Sequence, residues 1–138
     1  NLLLLGLARV EIAGIVSDEP YRRIRVRALA SQPGASDDEN QLLRRELSRL
    51  LNLKLKLAAE GSREIAAFLK TVDDPEAFVD IAAFSLCENS ALKQKLLETL
   101  DVHHRLELFS RQLRREVEEL KLRHKLQGRL PDDRISDN

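Results

Sequence analysis

The chain has 138 residues, a length typical of one domain or of part of a larger one. Hydrophobic residues make up 43% of it and charged residues 33%, which favours a modest folded core beneath a large solvated surface. The 23 lysines and arginines balance the 23 aspartates and glutamates, so the formal net charge is zero. Nucleic-acid-binding proteins usually carry a basic excess. A helical nucleic-acid-binding module is therefore the least favoured interpretation.

The apolar segments and the single cysteine of the chain indicate the cellular location that we expect. The run Leu2–Leu5 is too short for the apolar part of a signal peptide and has no basic segment before it, so it predicts a buried strand. No apolar stretch approaches the roughly 20 residues that span a bilayer, and we expect no membrane partner. The single cysteine, Cys87, has no disulfide partner in the chain, which favours the reducing cytoplasm. Since the chain contains no methionine, we expect a fragment or a processed product.

Two segments near the N-terminus predict a β-hairpin. Leu2–Ile15 is rich in leucine, isoleucine and valine and alternates in part, whereas Arg22–Leu29 alternates cleanly between apolar residues and arginines. The turn signal Ser17–Pro20 separates them. We expect each strand to bury one face and the arginines to be solvated, unless they meet phosphate or an acidic partner. Because two strands alone are marginally stable, the hairpin needs further strands, a helix or a second copy of the chain.

The rest of the chain predicts helices that begin at capping residues. Ser36 and Glu39 have capping-box spacing. Asp74, either Asn89 or Ser90, and Asp101 are the expected caps of the apolar periodic segments that follow them. The predicted helices cover about 38–59, 63–70, 75–86, 91–100 and 102–127. The fourth is expected to turn Leu92, Leu96 and Leu97 inward.

The longest predicted helix is expected to end near Gln127, because Gly128 and Pro131 are stop signals. The expected fold is α+β and mostly α. Its parts are a hairpin at 1–30, a linker at 31–40, a helical bundle at 41–129 and a frayed tail at 130–138.

No catalytic, metal or cofactor site is predicted. His103 and His104 are adjacent and point about 100° apart on a helix, and His124 lies about 30 Å further along it, so solvated histidines are expected. Cys87 lies in an apolar helical run, which favours a buried, inert thiol. No GxSxG, HExxH or GxxxxGK[ST] motif occurs.

Several segments together resemble the N-terminal substrate-binding domain of Lon-type ATP-dependent proteases. Leu4–Ile12, LLGLARVEI, looks like that domain's strand with a central GxxR, and Glu19–Tyr21 is similar to its next turn. Val72–Ala83, VDDPEAFVDIAA, resembles the helix start (I/V)xDPxxLADxIA. Lys93–Glu107 carries KQKLLE and DVHHRLE, similar to KQxLLExxDxxxRLE. Glu116–Arg129 resembles the long helix that ends near GR.

The resemblance runs from about Leu2 to Arg129 and implies a particular architecture. A PUA-like β-barrel, here reduced to a hairpin remnant without its early strands, would precede a helical bundle and one long helix. The family usually continues that helix, whereas Leu130–Asp133 is expected to break it.

The resemblance also implies a function. The chain itself would be no enzyme, but the recognition and assembly region of an ATP-dependent serine protease. The Ser–Lys dyad, the ATPase and its ATP and Mg would lie in later domains. Expected partners are unfolded or tagged protein substrates, those ATPase and protease domains, and further copies of the chain. Leu7, Ile24 and Phe68 are the candidate polypeptide-binding residues. The alternative is a stand-alone Lon-domain adaptor without protease activity.

Overall fold

The computed structural model describes residues 2, 4–58 and 63–136, with side chains described up to residue 128. Within these described residues, two strands and five helices follow one another, so the fold is α+β and mostly α, as predicted. They are β1 (Arg9–Ser17), β2 (Arg23–Leu29), α1 (Asp37–Ala58), α2 (Arg63–Leu69), α3 (Pro75–Leu86), α4 (Ser90–Glu98) and α5 (Val102–Ser136). The chain forms two compact units, residues 1–32 and 33–138.

The first unit is an antiparallel hairpin of β1 and β2. The strand predicted to start at Leu2 starts at Arg9 instead, and Leu2, Leu4 and Leu5 are 81 to 85% exposed. The cause is the length of the partner strand: Arg9 pairs with Leu29, the last residue of β2, so earlier residues have no ladder to join. The prediction of a buried strand over Leu2–Leu5 was therefore wrong for the residues described, and residue 3 lies outside them.

The prediction that each strand buries one face was also wrong. Both faces of the hairpin are largely exposed, including Ile12 at 66% and Val26 at 48%. Within the first unit, as far as it is described, no other element packs on the two strands. A two-stranded sheet by itself has no second layer with which to exclude water.

The second unit begins with a capping box. Ser36 Oγ accepts a hydrogen bond from the Glu39 amide at 3.2 Å, and Glu39 Oε2 accepts one from the Ser36 amide at 3.4 Å. Acidic residues in the first turn add a favourable interaction with the helix dipole. Helix α1 therefore starts at Asp37, inside the range 31–40 that was predicted as a linker. Leu47 and Leu50, which are three residues apart on α1, are buried on one face of the helix.

The other predicted caps are confirmed. Asp74 Oδ2 accepts from the Ala77 amide at 2.9 Å, and Asn89 Oδ1 accepts from the Leu92 amide at 3.0 Å. Asp101 Oδ1 accepts from the His104 amide at 2.8 Å. Each side chain satisfies one of the amides that a helix start leaves unbonded.

Helix α4 corrects one predicted core position. Leu96 is buried and Leu92 is partly buried, but Leu97 is 56% exposed. Leu92 and Leu96 are four residues apart and share a face, whereas Leu97 is turned about 100° from Leu96. A helix of nine residues buries only one narrow stripe here.

Helix α5 supplies the longest wall of the core. Its buried stripe is spaced by threes and fours and packs extensively against α1. The stripe consists of Val102, Leu106, Phe109, Leu113 and Val117.

The predicted helix end near Gln127 was wrong, because α5 continues to Ser136, within the range 130–138 that was predicted as a tail. A proline removes one amide, here the one that would bond to the Gln127 carbonyl, at a cost of about 3 kcal/mol. The helix nevertheless continues through Pro131. The stop expected at Leu130–Asp133 does not occur.

Candidate functional site

The hairpin presents one face of exposed, branched apolar side chains, called here the apolar face. Ile12 lies opposite Val26, and Ile15 lies opposite Ile24. The register shifts between Ile12 and Gly14, which absorbs one extra residue of β1 and keeps the apolar side chains of both strands on the same side. With Val10, the five side chains are between 43 and 66% exposed. Contiguous exposed apolar surface of this kind usually marks an interaction site.

The opposite side of the hairpin is charged. Arg27 NH2 lies 2.6 Å from Glu11 Oε1, its cross-strand partner in the register. Arg25 lies opposite Gly14, and Arg23 lies opposite Ser17. Both members of the Glu11–Arg27 pair are more than 40% exposed, so the arginines are solvated, as predicted. An exposed pair of this kind adds little stability.

The three residues predicted to bind polypeptides are all exposed. Leu7 is 88% exposed before β1, and Ile24 is 43% exposed within the apolar face. Phe68, 55% exposed on α2, belongs to the second unit. Sequence reasoning missed Ile12, Ile15 and the bulge that aligns them with β2. The break in alternation around Gly14 was the available signal. Binding by Leu7, Ile24 and Phe68 stays a prediction.

The second unit contains an open groove of about 390 Å³ between α1, α2, the end of α3 and α5. Its apolar lining consists of Leu51, Leu55, Ala58, Ile65, Leu86 and Leu120.

Charged side chains stand around this groove. Lys54 Nζ lies 3.0 Å from Glu116 Oε2, and these two side chains are only 15% and 25% exposed. Glu88, Glu119 and Arg123 also line the groove. Among the described residues, the groove therefore combines an apolar floor with a rim that carries three carboxylates and two cations.

A fully buried arginine, Arg105, connects separate segments of the second unit. Arg105 Nε donates to the Thr99 carbonyl at 2.8 Å, and NH1 donates to Asp80 Oδ1 at 2.8 Å. Its NH2 group lies 3.4 Å from Glu76 Oε1 and 3.3 Å from the Leu100 carbonyl. One side chain thus ties α3 to the segment between α4 and α5. Its role is structural, because all these partners belong to the protein's own framework.

His104 is exposed, as predicted, whereas His103 and His124 contact other groups of the protein, which corrects the prediction for these two. His103 Nδ1 lies 2.9 Å from Asn40 Oδ1, and its Nε2 lies 2.9 Å from Glu107 Oε1. His124 Nε2 lies 2.6 Å from the Leu57 carbonyl. The contacts with Asn40 and Leu57 join α5 to α1, which sequence spacing does not reveal because these partners are more than 60 residues apart.

Cys87 is buried, as predicted, and burial raises the pKa of its thiol. A thiol that stays protonated near neutral pH is a poor nucleophile. In the part of the chain that the structure describes, no group of three or more His, Cys, Asp or Glu side chains is arranged to hold a metal ion.

A family profile described as the ATP-dependent protease La (LON) substrate-binding domain matches residues 1–115. The chain belongs to this family. It is 33% identical over 133 residues to a protein named Lon protease from Syntrophus aciditrophicus (strain SB), and 33% identical over 130 residues to one from Heliobacterium modesticaldum (strain ATCC 51547 / Ice1). A third Lon protease, from Desulfosudis oleivorans (strain DSM 6200 / JCM 39069 / Hxd3), is 29% identical over 133 residues.

These matches cover 94 to 96% of this chain but only 16 to 17% of each relative. The LON substrate-binding domain thus spans about a sixth of the length of the Lon proteases it matches. The family description gives it a substrate-binding role. Among its described residues, no helix is both long and apolar enough to cross a bilayer.

Proposed function

We propose that this LON domain is the substrate-recognition region of a Lon-type ATP-dependent protease and binds unfolded or tagged polypeptides. The ATPase and the serine protease domain, with the ATP and Mg that such an ATPase uses, would lie elsewhere in the parent protein. The relatives support this proposal, since each carries the name Lon protease and is about six times as long as the aligned chain. We further propose a cytoplasmic location.

The observation that carries the proposal is the apolar face of the hairpin. Unfolded polypeptides differ from folded ones in that they expose branched and aromatic side chains and unpaired backbone amides. The apolar face offers five exposed branched side chains, and no third strand pairs with either β1 or β2 among the described residues. An extended segment can therefore add to a strand edge and place alternate side chains on the apolar face.

The test is a titration of the chain with one polypeptide in two states, reduced and unfolded or native. The double variant Ile24→Thr/Val26→Thr keeps strand propensity but removes apolar surface from the face. The variant loses three methyl or methylene groups, each worth about 0.8 kcal/mol when fully buried. Because Ile24 and Val26 are already about half buried in the free chain, its affinity for the unfolded polypeptide should fall at least roughly tenfold. Arg25→Thr, between them on the charged side, is the matched control and should bind as the wild type does.

The same open edges support self-association, which we propose as a second property of the chain. A strand with unpaired amides and carbonyls is a template for another strand, including one from a second copy. Sedimentation across a dilution series should show a mass that rises with concentration. A monomeric mass at the highest soluble concentration would contradict this part of the proposal without affecting polypeptide binding.

A further inference from the structure

The groove between α1, α2, α3 and α5 has the size of a binding site. Its volume of about 390 Å³ lies within the range of roughly 300–1,000 Å³ that is usual for ligand pockets. Leu55, Ile65 and Leu120 are only partly buried and leave apolar surface facing the groove. The α5 wall, which includes Leu120 and Arg123, lies beyond residue 115, where the match to the family profile ends.

The charges around the groove favour a cationic occupant. Glu116 is already engaged, because Lys54 lies 3.0 Å away and Gln112 Nε2 donates to it at 3.4 Å. Of the remaining lining charges among the described residues, Glu88 and Glu119 are negative and Arg123 is positive. Glu88 and Glu119 are both exposed, so a basic side chain can approach them without losing all its water.

We propose that this groove binds a polypeptide segment in which one or two apolar side chains are flanked by lysine or arginine. The apolar side chains contact the floor formed by α1, α2 and α5, and the basic groups face Glu88 and Glu119. This inference rests on the proposed function, because it names a class of substrate segment. It places that segment in the second unit, whereas the apolar face belongs to the hairpin.

Fluorescence anisotropy with three labelled peptides of equal length tests the chemistry of the occupant. The first has a Leu-Phe core flanked by lysines, the second has glutamates in place of the lysines, and the third has alanines in place of Leu-Phe. The first should bind about tenfold more tightly than either of the others. Its affinity should fall as salt is raised from about 0.1 M to about 1 M, which shortens the Debye length from about 10 Å to about 3 Å.

Two pairs of variants locate the binding. Glu119→Lys reverses a groove carboxylate and should weaken the lysine-flanked peptide about tenfold, whereas Glu118→Lys, an exposed neighbour outside the groove, makes the same charge change and should not. Ser85→Phe places a ring in the groove and should abolish binding of the first peptide. Ala91→Phe adds the same ring to an exposed position of α4 and should leave it unchanged. Circular dichroism confirms that the four variants are folded.

Equal effects of Glu119→Lys and Glu118→Lys, or of Ser85→Phe and Ala91→Phe, would overturn the groove assignment. So would preferential binding of the glutamate-flanked peptide. A loss of self-association in Ser85→Phe, without any change in peptide binding, would make a second copy of the chain the occupant and would also overturn it. If the groove variants bind the peptide normally while Ile24→Thr/Val26→Thr still loses unfolded polypeptide, only this inference fails. Failure of the chain to prefer unfolded over native polypeptide would instead remove the proposed function.

Discussion

Replacing Arg105 with methionine tests the structural role of the buried guanidinium. The arginine side chain is 0% exposed, and it contacts two carboxylates and two carbonyls. Methionine keeps most of the apolar stem but donates no hydrogen bond. Breaking a buried ion pair by removing one partner costs about 3–5 kcal/mol. Here Glu76 and Asp80 are 40% and 37% exposed, so water solvates them after the change, and we expect the lower end, about 3 kcal/mol.

The assay is urea unfolding followed by circular dichroism at 222 nm, with thermal unfolding alongside. A loss of about 3 kcal/mol should lower the melting temperature of the helical unit by at least about 10 °C. Arg111→Met is the matched control on the same helix, since Arg111 is 62% exposed and lies 3.9 Å from Glu107. That surface pair should contribute less than about 0.5 kcal/mol. Equal urea midpoints for the two variants would refute the structural role assigned to Arg105.

Three further predictions concern the second unit. Gly34→Ala should lower the free energy of unfolding of this unit, measured in urea, by at least about 1 kcal/mol, because φ is +73° and the added methyl would clash with the Asp101 carboxylate. Gly128→Ala within α5 is the control: its added methyl meets open space, so it should stabilise the helix. Asp74→Ala should lower the free energy of unfolding by about 1 kcal/mol, because the hydrogen bond from the Ala77 amide is lost. Asp73→Ala, one residue earlier, should lower it by less than about 0.5 kcal/mol. Equal losses for the two variants would contradict the capping role of Asp74. Cys87 should react with a thiol reagent far more slowly at pH 8 than in urea. Because burial raises its pKa in the folded state, its contribution to stability should be present below the ordinary thiol pKa and decline above it, a decline that Cys87→Ala lacks.

Local signals were sufficient for the helix starts of the second unit. A cap such as Asp74 depends on a hydrogen bond to an amide three residues away, and the sequence contains both groups. The buried stripe of α5 could equally be predicted from the sequence, since it depends only on the spacing of apolar residues along one helix. The low helix propensity of Gly128 and Pro131 wrongly predicted a helix end, because a proline removes only one hydrogen bond of the helix and need not end it.

The sequence did not reveal features that depend on distant partners. Arg105 meets Asp80 and Glu76 across 25 and 29 residues, and no local pattern marks such a pairing. The groove depends likewise on four helices that converge in space. The alternation in β2 correctly predicted two chemically distinct faces. Whether a face is buried depends on which element packs against it, and the alternation along one strand does not contain that information.

The most direct test of the central claim is a map of where an unfolded polypeptide contacts the chain. The probe is a reduced, unfolded polypeptide without lysine or arginine, which the groove would not favour, and the readout is the methyl NMR spectrum of the isoleucines and valines. We expect shifts at Ile12, Ile15, Ile24 and Val26, and none when the same polypeptide is native. Shifts confined to the second unit, or equal shifts with the folded and unfolded forms, would contradict the claim that the apolar face of the hairpin recognises unfolded polypeptides.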